Sequence, residues 1–268
     1  MIARILYLDG IGFWATGLPD WPTARAAFLG KLTSPSGNAR RPSPALLPPA
    51  ERRRAPDSVV LALEAASQAM AQSGMNPAHL PTVFASAHGD TAITDYICST
   101  LVEQPALISP TKFHNSVQNA AAGYWTIGTH CMAPSSALSA FDRSFTAGFV
   151  EAATQSAADA CPVLLVGYDI EASGALASVT TSRGLLAVAL VLSPMASERT
   201  VATISWTLHS GSRLATQHRS DAARRLQHNG SADALPLLES LACGSADPVV
   251  MPVSSSLALS IVLNAGRN

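Results

Sequence analysis

Seven histidines, four cysteines and several serines near acidic residues are the groups in this sequence able to do nucleophilic or acid–base work. The most suggestive arrangement is APSSALSAFDRSFTAGF, residues 133–149. Small strand-compatible residues, Ser135 to Ala140, run into Phe141, then an acid and a helix-forming stretch. This is the layout of a strand-to-helix elbow, a sharp corner on which enzymes mount a nucleophile. Phenylalanine has no ionisable or nucleophilic atom, so the corner itself carries no chemistry. The nearest substitutes are Ser139, placed by strand alternation on the same face as Phe141, and Ser144, in the first helical turn, where serine is usually a cap or solvated. Cys131 reads more simply as a small packed hydrophobe.

His88 and His114 lie at element ends, where functional groups gather on α/β scaffolds. His88 follows TVFASA (82–87), and His114 precedes the small-residue run Asn119 to Gly123. One reading pairs His114 with a serine, or with Asp142 or Asp90 in a triad. The simpler one has each histidine bonding backbone carbonyls at a turn.

Composition narrows the function classes. With 17 Lys+Arg against 18 Asp+Glu and only 13% charged residues, no field of either sign attracts nucleic acid or an anionic membrane. Cys98, Cys131, Cys161 and Cys243 lie far apart without a CxxC or Cys/His cluster, which argues against a metal site or a disulfide framework. No cofactor motif stands out. The N-terminal MIARILYLDGIGFWA is interrupted by Asp9 and two glycines, unlike a signal peptide, and GLLAVALVLSP (184–194) is too short to span a bilayer. The expectation is a soluble cytoplasmic chain without cofactor or metal.

Several elements must position these groups. Periodicity predicts a strand near 3–14, a helix near 22–30, and a helix from Asp57 or Ser58 to Ser73 stopped by Gly74. A strand follows at 82–87, then a helix with Ile93, Ile97 and Leu101 on one stripe. The elbow comes next as strand 135–140 and helix 142–157. CPVLLVGYDI (161–170) reads as a strand buried on both faces, and LLAVALVLS (185–193) as an antiparallel neighbour. Between the first two helices, residues 33–56 hold six prolines and five arginines without periodicity, an extended surface segment. The alternation predicts an α/β layered domain with a mostly parallel sheet over 1–193. After it, 194–268 is a C-terminal extension packing on the same domain, with strands near 200–210 and 255–264, a short helix at 233–243, and a polar, helical or disordered stretch at 213–228.

The order of FHNSVQNAAAGYWTIG, APSSALSAF with its helix, CPVLLVGYD and SRGLLAVALVLS resembles the N-terminal half of a β-ketoacyl synthase of the thiolase superfamily. Within it, the chain is most similar to the ketosynthase-like chain-length factors of aryl-polyene and xanthomonadin-type pathways. The resemblance covers roughly residues 1–193. It implies a thiolase-like, mostly parallel five-stranded sheet in the order 3-2-1-4-5. A ketosynthase mounts a cysteine at the elbow, where the helix dipole lowers the thiol pKa. The matching residue here is Phe141. The family's His-Thr-Gly and Phe-Gly-Gly motifs are missing too.

The resemblance therefore implies a non-catalytic subunit paired with a β-ketoacyl-ACP synthase in aryl-polyene or fatty-acid-like biosynthesis. It also implies that the strand Ser135, Ser136, Ala137, Leu138, Ser139 lies at a sheet edge and pairs across a two-fold axis. No Lys or Pro blocks that edge. Phe141, Phe145 and Trp125 would line or limit an acyl tunnel near the interface. Arg40, Arg41, Arg52, Arg53 and Arg54 form a candidate docking surface for an acidic acyl carrier protein. Two alternatives stay open: a stand-alone acyl hydrolase or acyltransferase using a Ser/His pair, and a structural homodimer through SSALSA.

Overall fold

The computed structural model describes residues 4–32, 41–180 and 182–265. β1 (Arg4–Ala15) is followed by α1 (Trp21–Phe28), α2 (Pro49–Arg54) and α3 (Asp57–Ser73). Next come β2 (Thr82–Ala85), α4 (Thr91–Glu103), α5 (Pro110–His114), α6 (Ala120–Thr129), β3 (Ser135–Leu138) and α7 (Ser144–Asp159). β4 (Val163–Asp169), β5 (Leu186–Ser193), β6 (Ala202–Ser210), α8 (Asp221–Leu226), α9 (Leu235–Cys243), β7 (Val249–Pro252) and β8 (Leu257–Ala265) complete the order.

The layered α/β class holds, but the sheet has eight strands in the order β3-β2-β4-β5-β1-β6-β8-β7, not five in the order 3-2-1-4-5. Nor is it mostly parallel: among the described residues only β2–β3 and β2–β4 are parallel, and the other five pairings are antiparallel. Helical crossovers separate the parallel strands β2, β3 and β4, whereas β4 returns through residues 170–185, which hold no α-helix among the described residues, to pair antiparallel with β5. The strands after Ser193 extend the same sheet beyond β1.

One face of the sheet packs a core around Phe13, Phe145, Phe149 and Leu238; the other packs α3 and α6 through Val59, Leu63, Trp125 and Val166. β1 and α3 lie so close that a Cβ at Gly10 or Gly12 would strike the Ala69 or Ala65 carbonyl oxygen. Gln72 Oε1 and Gln68 Oε1 accept from the Ile11 and Phe13 amides at 2.8 and 3.2 Å where β1 bulges.

Several boundaries differ from the pattern. Pro56, not Asp57 or Ser58, occupies the N-cap of α3, and Ser58 Oγ instead donates to Asp90 at 2.9 Å. Gly74, at φ +65°, ends α3 as expected. On α4 only Ile93 of the apolar stripe is buried, and Leu101 is half exposed. The 33–56 segment contains the short helix α2. β7 has no strand signal in the sequence because Pro248 precedes it and Pro252 is its last residue, and proline argues against a central strand. It sits at the far edge of the sheet, where proline is tolerated.

Candidate functional site

β3 stops at Leu138, two residues short of the expected end, and the chain turns through a 3-10 turn, Phe141–Arg143, into α7. Phe141 has φ +52°, a left-handed backbone that costs a non-glycine residue about 1–2 kcal/mol. Ser144 holds the corner: its Oγ donates to the Phe141 carbonyl at 2.7 Å and accepts from the Ala140 amide at 2.9 Å. It is fully buried, so it is neither the conventional helix cap nor the solvated residue its position suggested. Ser139 Oγ donates to the Ala87 carbonyl at 2.7 Å, tying the corner to the end of β2.

Phe141 is 69% exposed, an unusual state for its side chain. Its ring meets the His88 ring edge-on, with centroids 5.4 Å apart. The two open onto a groove of about 480 Å³ lined also by Asp142, Val179, His228 and Asn229. Partial burial lowers the pKa of His88.

Beneath the groove lies a polar hub the sequence did not disclose. Asp169, at the end of β4, accepts from Ser86 Oγ and the Ala87 amide at 2.9 Å and from Ser231 Oγ at 2.7 Å. Burial pushes its carboxyl up to about 6 against the opposing pull of these bonds. Asn229 Nδ2 donates to the carbonyls of Asp169 and Arg183 at 3.1 Å, locking the 229–231 turn onto the strand ends. Asp233 Oδ2 accepts from both the amide and hydroxyl of Thr146 at 2.8 Å, in the first turn of α7. Its carboxyl is pushed up to about 7, first by burial and further by Asp169 and Asp142. The visible signal was Asp169 closing an otherwise apolar strand; Asn229, Ser231 and Asp233 had none.

The other candidates divide. His114 lies on a second groove of about 680 Å³, with Leu46, Phe113, Val117, Tyr124 and Ile127. Among the described residues no hydrogen bond joins it to Asp142, Asp90, Ser139 or Ser144, and Asp90 is spent capping α4 through the Ile93 amide at 2.9 Å. Cys131 is buried, its thiol on the Leu80 carbonyl. Phe145 and Trp125 are core residues on opposite faces of the sheet, and neither reaches the Phe141 groove. The tunnel role is what the resemblance implies; in the structure both side chains are buried in the core.

The sequence profile of the family described as "Beta-ketoacyl synthase, N-terminal domain" matches residues 29–245. The chain belongs to this β-ketoacyl synthase family. Three solved structures share its fold. A chain of the ketosynthase ApeO in complex with its chain length factor ApeC, from Xenorhabdus doucetiae, is 23% identical with a TM-score of 0.73, covering 98% of this chain and 100% of that one. The ishigamide ketosynthase/chain length factor gives 13% identity and a TM-score of 0.71 over 97% of this chain and 99% of that one. A type II polyketide ketosynthase with its acyl-carrier protein, AntDE:AntF, gives 12% and 0.73 over 99% and 100%. No curated protein sequence matches the chain.

For this β-ketoacyl synthase family member, the edge placement of β3 is as expected: among the described residues it pairs with β2 alone, and Ser135 and Ala137 are exposed. Exposed Met132, Phe113, Val117 and Ile127 belong to the segment leading into it. Of the arginine set, Arg41 is occupied by Asp57 at 2.6 Å and the Arg52 and Ala55 carbonyls. Arg52 is occupied by the Leu47 carbonyl at 2.8 Å and Ser43. Those two pin the 41–56 segment; Arg53 and Arg54 are exposed, and Arg40 lies outside the described residues. No helix among the described residues is long and apolar enough to cross a membrane.

Proposed function

We propose that this chain is a non-catalytic, chain-length-factor-type subunit that pairs with a β-ketoacyl-ACP synthase in a cytoplasmic aryl-polyene or fatty-acid-like pathway. The observation that carries this is Phe141: the elbow is built and strained as a nucleophile mount is, yet its tip is an aromatic ring with no atom to bond an acyl group. Ser139 and Ser144 do not replace it, because both hydroxyls are committed to backbone carbonyls.

The free edge of β3 and the exposed apolar residues before it suit pairing with the catalytic subunit. Its role is steric. The 680 Å³ groove, with Phe113, Val117, Tyr124 and Ile127, is an apolar wall against which a growing acyl chain can be measured. Phe141 closes the site where this subunit would otherwise take the acyl group. Arg54, which lines that groove, and the exposed Arg53 that precedes it in the chain remain the candidates for an acidic acyl carrier protein.

The test is co-expression with a β-ketoacyl-ACP synthase encoded nearby, followed by product analysis for wild type, Phe113→Ala and Phe141→Ala. Phe113→Ala lengthens the products if the groove measures the chain. Unchanged products in both variants, with no complex on gel filtration, sink the assignment.

A further inference from the structure

α1 and α8 are neighbours, and between them runs a groove of about 530 Å³, inside the range of roughly 300–1,000 Å³ typical of small-molecule sites. Its floor is apolar. Ala27, Leu32, Ala222 and Leu226 are partly buried against the core that contains Phe13 and Leu238, so the groove opens onto the outer layer of that core. Phe28 at its base is held edge-on by Phe13, with centroids 5.9 Å apart, and by Trp21 at 6.4 Å, so the floor is preformed.

The wall contributed by α8 and the residues before it is cationic, with Arg219, Arg224 and Arg225. A buried carboxylate fixes its backbone. Glu239 of α9, only 3% exposed, accepts from the Arg219 amide at 3.0 Å and the Ser220 amide at 2.6 Å. Ser220 Oγ in turn caps α8 by accepting from the Ala223 amide at 3.1 Å. This backbone can shift only by stranding a buried charge, so the arginines are carried on a preorganised wall.

Counting charges decides what the groove can take. Arg224 donates to Asp221 and to the Arg219 carbonyl, and Arg219 lies 3.6 Å from Asp247. Among the described residues Arg225 has no salt bridge. α1 adds no acid in its first turn and carries Arg25 in its last. Three guanidinium groups against two carboxylates leave one cation unmatched beside an apolar floor. An exposed arginine alone is an ordinary surface group; one at the rim of a preformed apolar groove can hold the head of an amphiphile whose tail the floor takes from water. An acidic protein helix would bring several negative charges to a wall on which two guanidinium groups are already paired. A single carboxylate matches the single free one, whose planar fork takes it bidentately.

We propose that this groove binds a medium-chain carboxylate, its head on Arg225 and its alkyl tail along Phe28, Leu32 and Leu226. The eight residues of α1 make the groove's long wall about 12 Å, which an extended chain of about eight carbons spans with its head group. The groove shares no lining residue with the 680 Å³ groove or with the groove at Phe141, so the proposal does not rest on pairing with a synthase.

The experiment titrates the full chain with octanoate by ligand-observed NMR, with butanoate, 1-octanol and n-octylammonium as comparisons. A fully buried methylene tightens binding about fourfold, so four more in a half-open groove should make octanoate bind at least about tenfold more tightly than butanoate. Octanol, without the charge, should bind about tenfold more weakly than octanoate, and octylammonium more weakly still. Arg225→Gln should weaken octanoate about tenfold and leave octanol unchanged, with the fold intact by circular dichroism because the side chain is exposed. Arg54→Gln, on the 680 Å³ groove, should leave octanoate affinity unchanged. No octanoate binding, equal affinity for octanol, undiminished affinity in Arg225→Gln, or a loss in Arg54→Gln in its place overturns the proposal.

Discussion

Ser144 Oγ donates to the carbonyl of Phe141 at 2.7 Å while accepting from the amide of Ala140 at 2.9 Å, so one buried hydroxyl clamps both sides of the elbow. Removing it leaves a buried amide and carbonyl short of partners. Ser144→Ala is therefore expected to cost about 1–3 kcal/mol. Urea unfolding measures this; a loss below about 0.5 kcal/mol, the scatter of surface substitutions, would show that the clamp is dispensable.

The strain at Phe141 predicts an inversion of the usual glycine penalty. Phe141 is mostly exposed, so trimming it loses little burial, while glycine accepts φ +52° freely. Phe141→Gly should be more stable than Phe141→Ala by about 1 kcal/mol. The opposite order in paired denaturation curves would mean that the left-handed conformation is not strained.

The buried acids set an uncommon pH dependence. Asp169 and Asp233 are raised from the ordinary 3.8 to about 6 and about 7, so the folded state binds protons that the unfolded state has released. Stability contributed by these groups is full below about pH 4 and is lost as pH rises to about 7. Asp233→Asn should flatten the part of this decline above pH 6. A curve of unfolding free energy rising with pH across that window would contradict the burial of the two carboxyls.

Restoring a cysteine should not restore a reactive thiol. The first turn of α7 already holds the Asp233 carboxylate, and Asp142 follows position 141 directly. Negative charge there opposes a thiolate. In Phe141→Cys, the added thiol should alkylate with iodoacetamide with an apparent pKa at or above the free value of about 8.5. Wild type supplies the background of exposed Cys98 and Cys243. A thiol titrating near pH 6 would show that the helix terminus is still tuned for catalysis.

How much of this was legible in the sequence follows from how local each signal is. Continuous apolar runs disclosed β4 and β5, and small residues ending in Phe141 disclosed the elbow. These signals lie within a few residues of one another. The order and direction of the sheet depend on which strands meet, and β6, β8 and β7 could extend it only once their distant partners were known. The resemblance places Trp125 and Phe145 at a tunnel wall, whereas both are buried against the sheet, and only helix phase shows which side faces it. The hub draws on Ser86, Asp169, Asn229 and Ser231, whose single bonds to Asp169 span 60 to 83 residues. No periodicity reports such a meeting.

The most direct test of the central claim is native mass spectrometry of the chain co-expressed with its candidate β-ketoacyl-ACP synthase, alongside Ala137→Lys. Ala137 is exposed on β3, and a lysine there blocks an edge without disturbing the pairing to β2. The account predicts a one-to-one complex for wild type that is lost in Ala137→Lys. A wild-type chain that stays apart from the synthase, or a complex that survives the lysine undiminished, would contradict it.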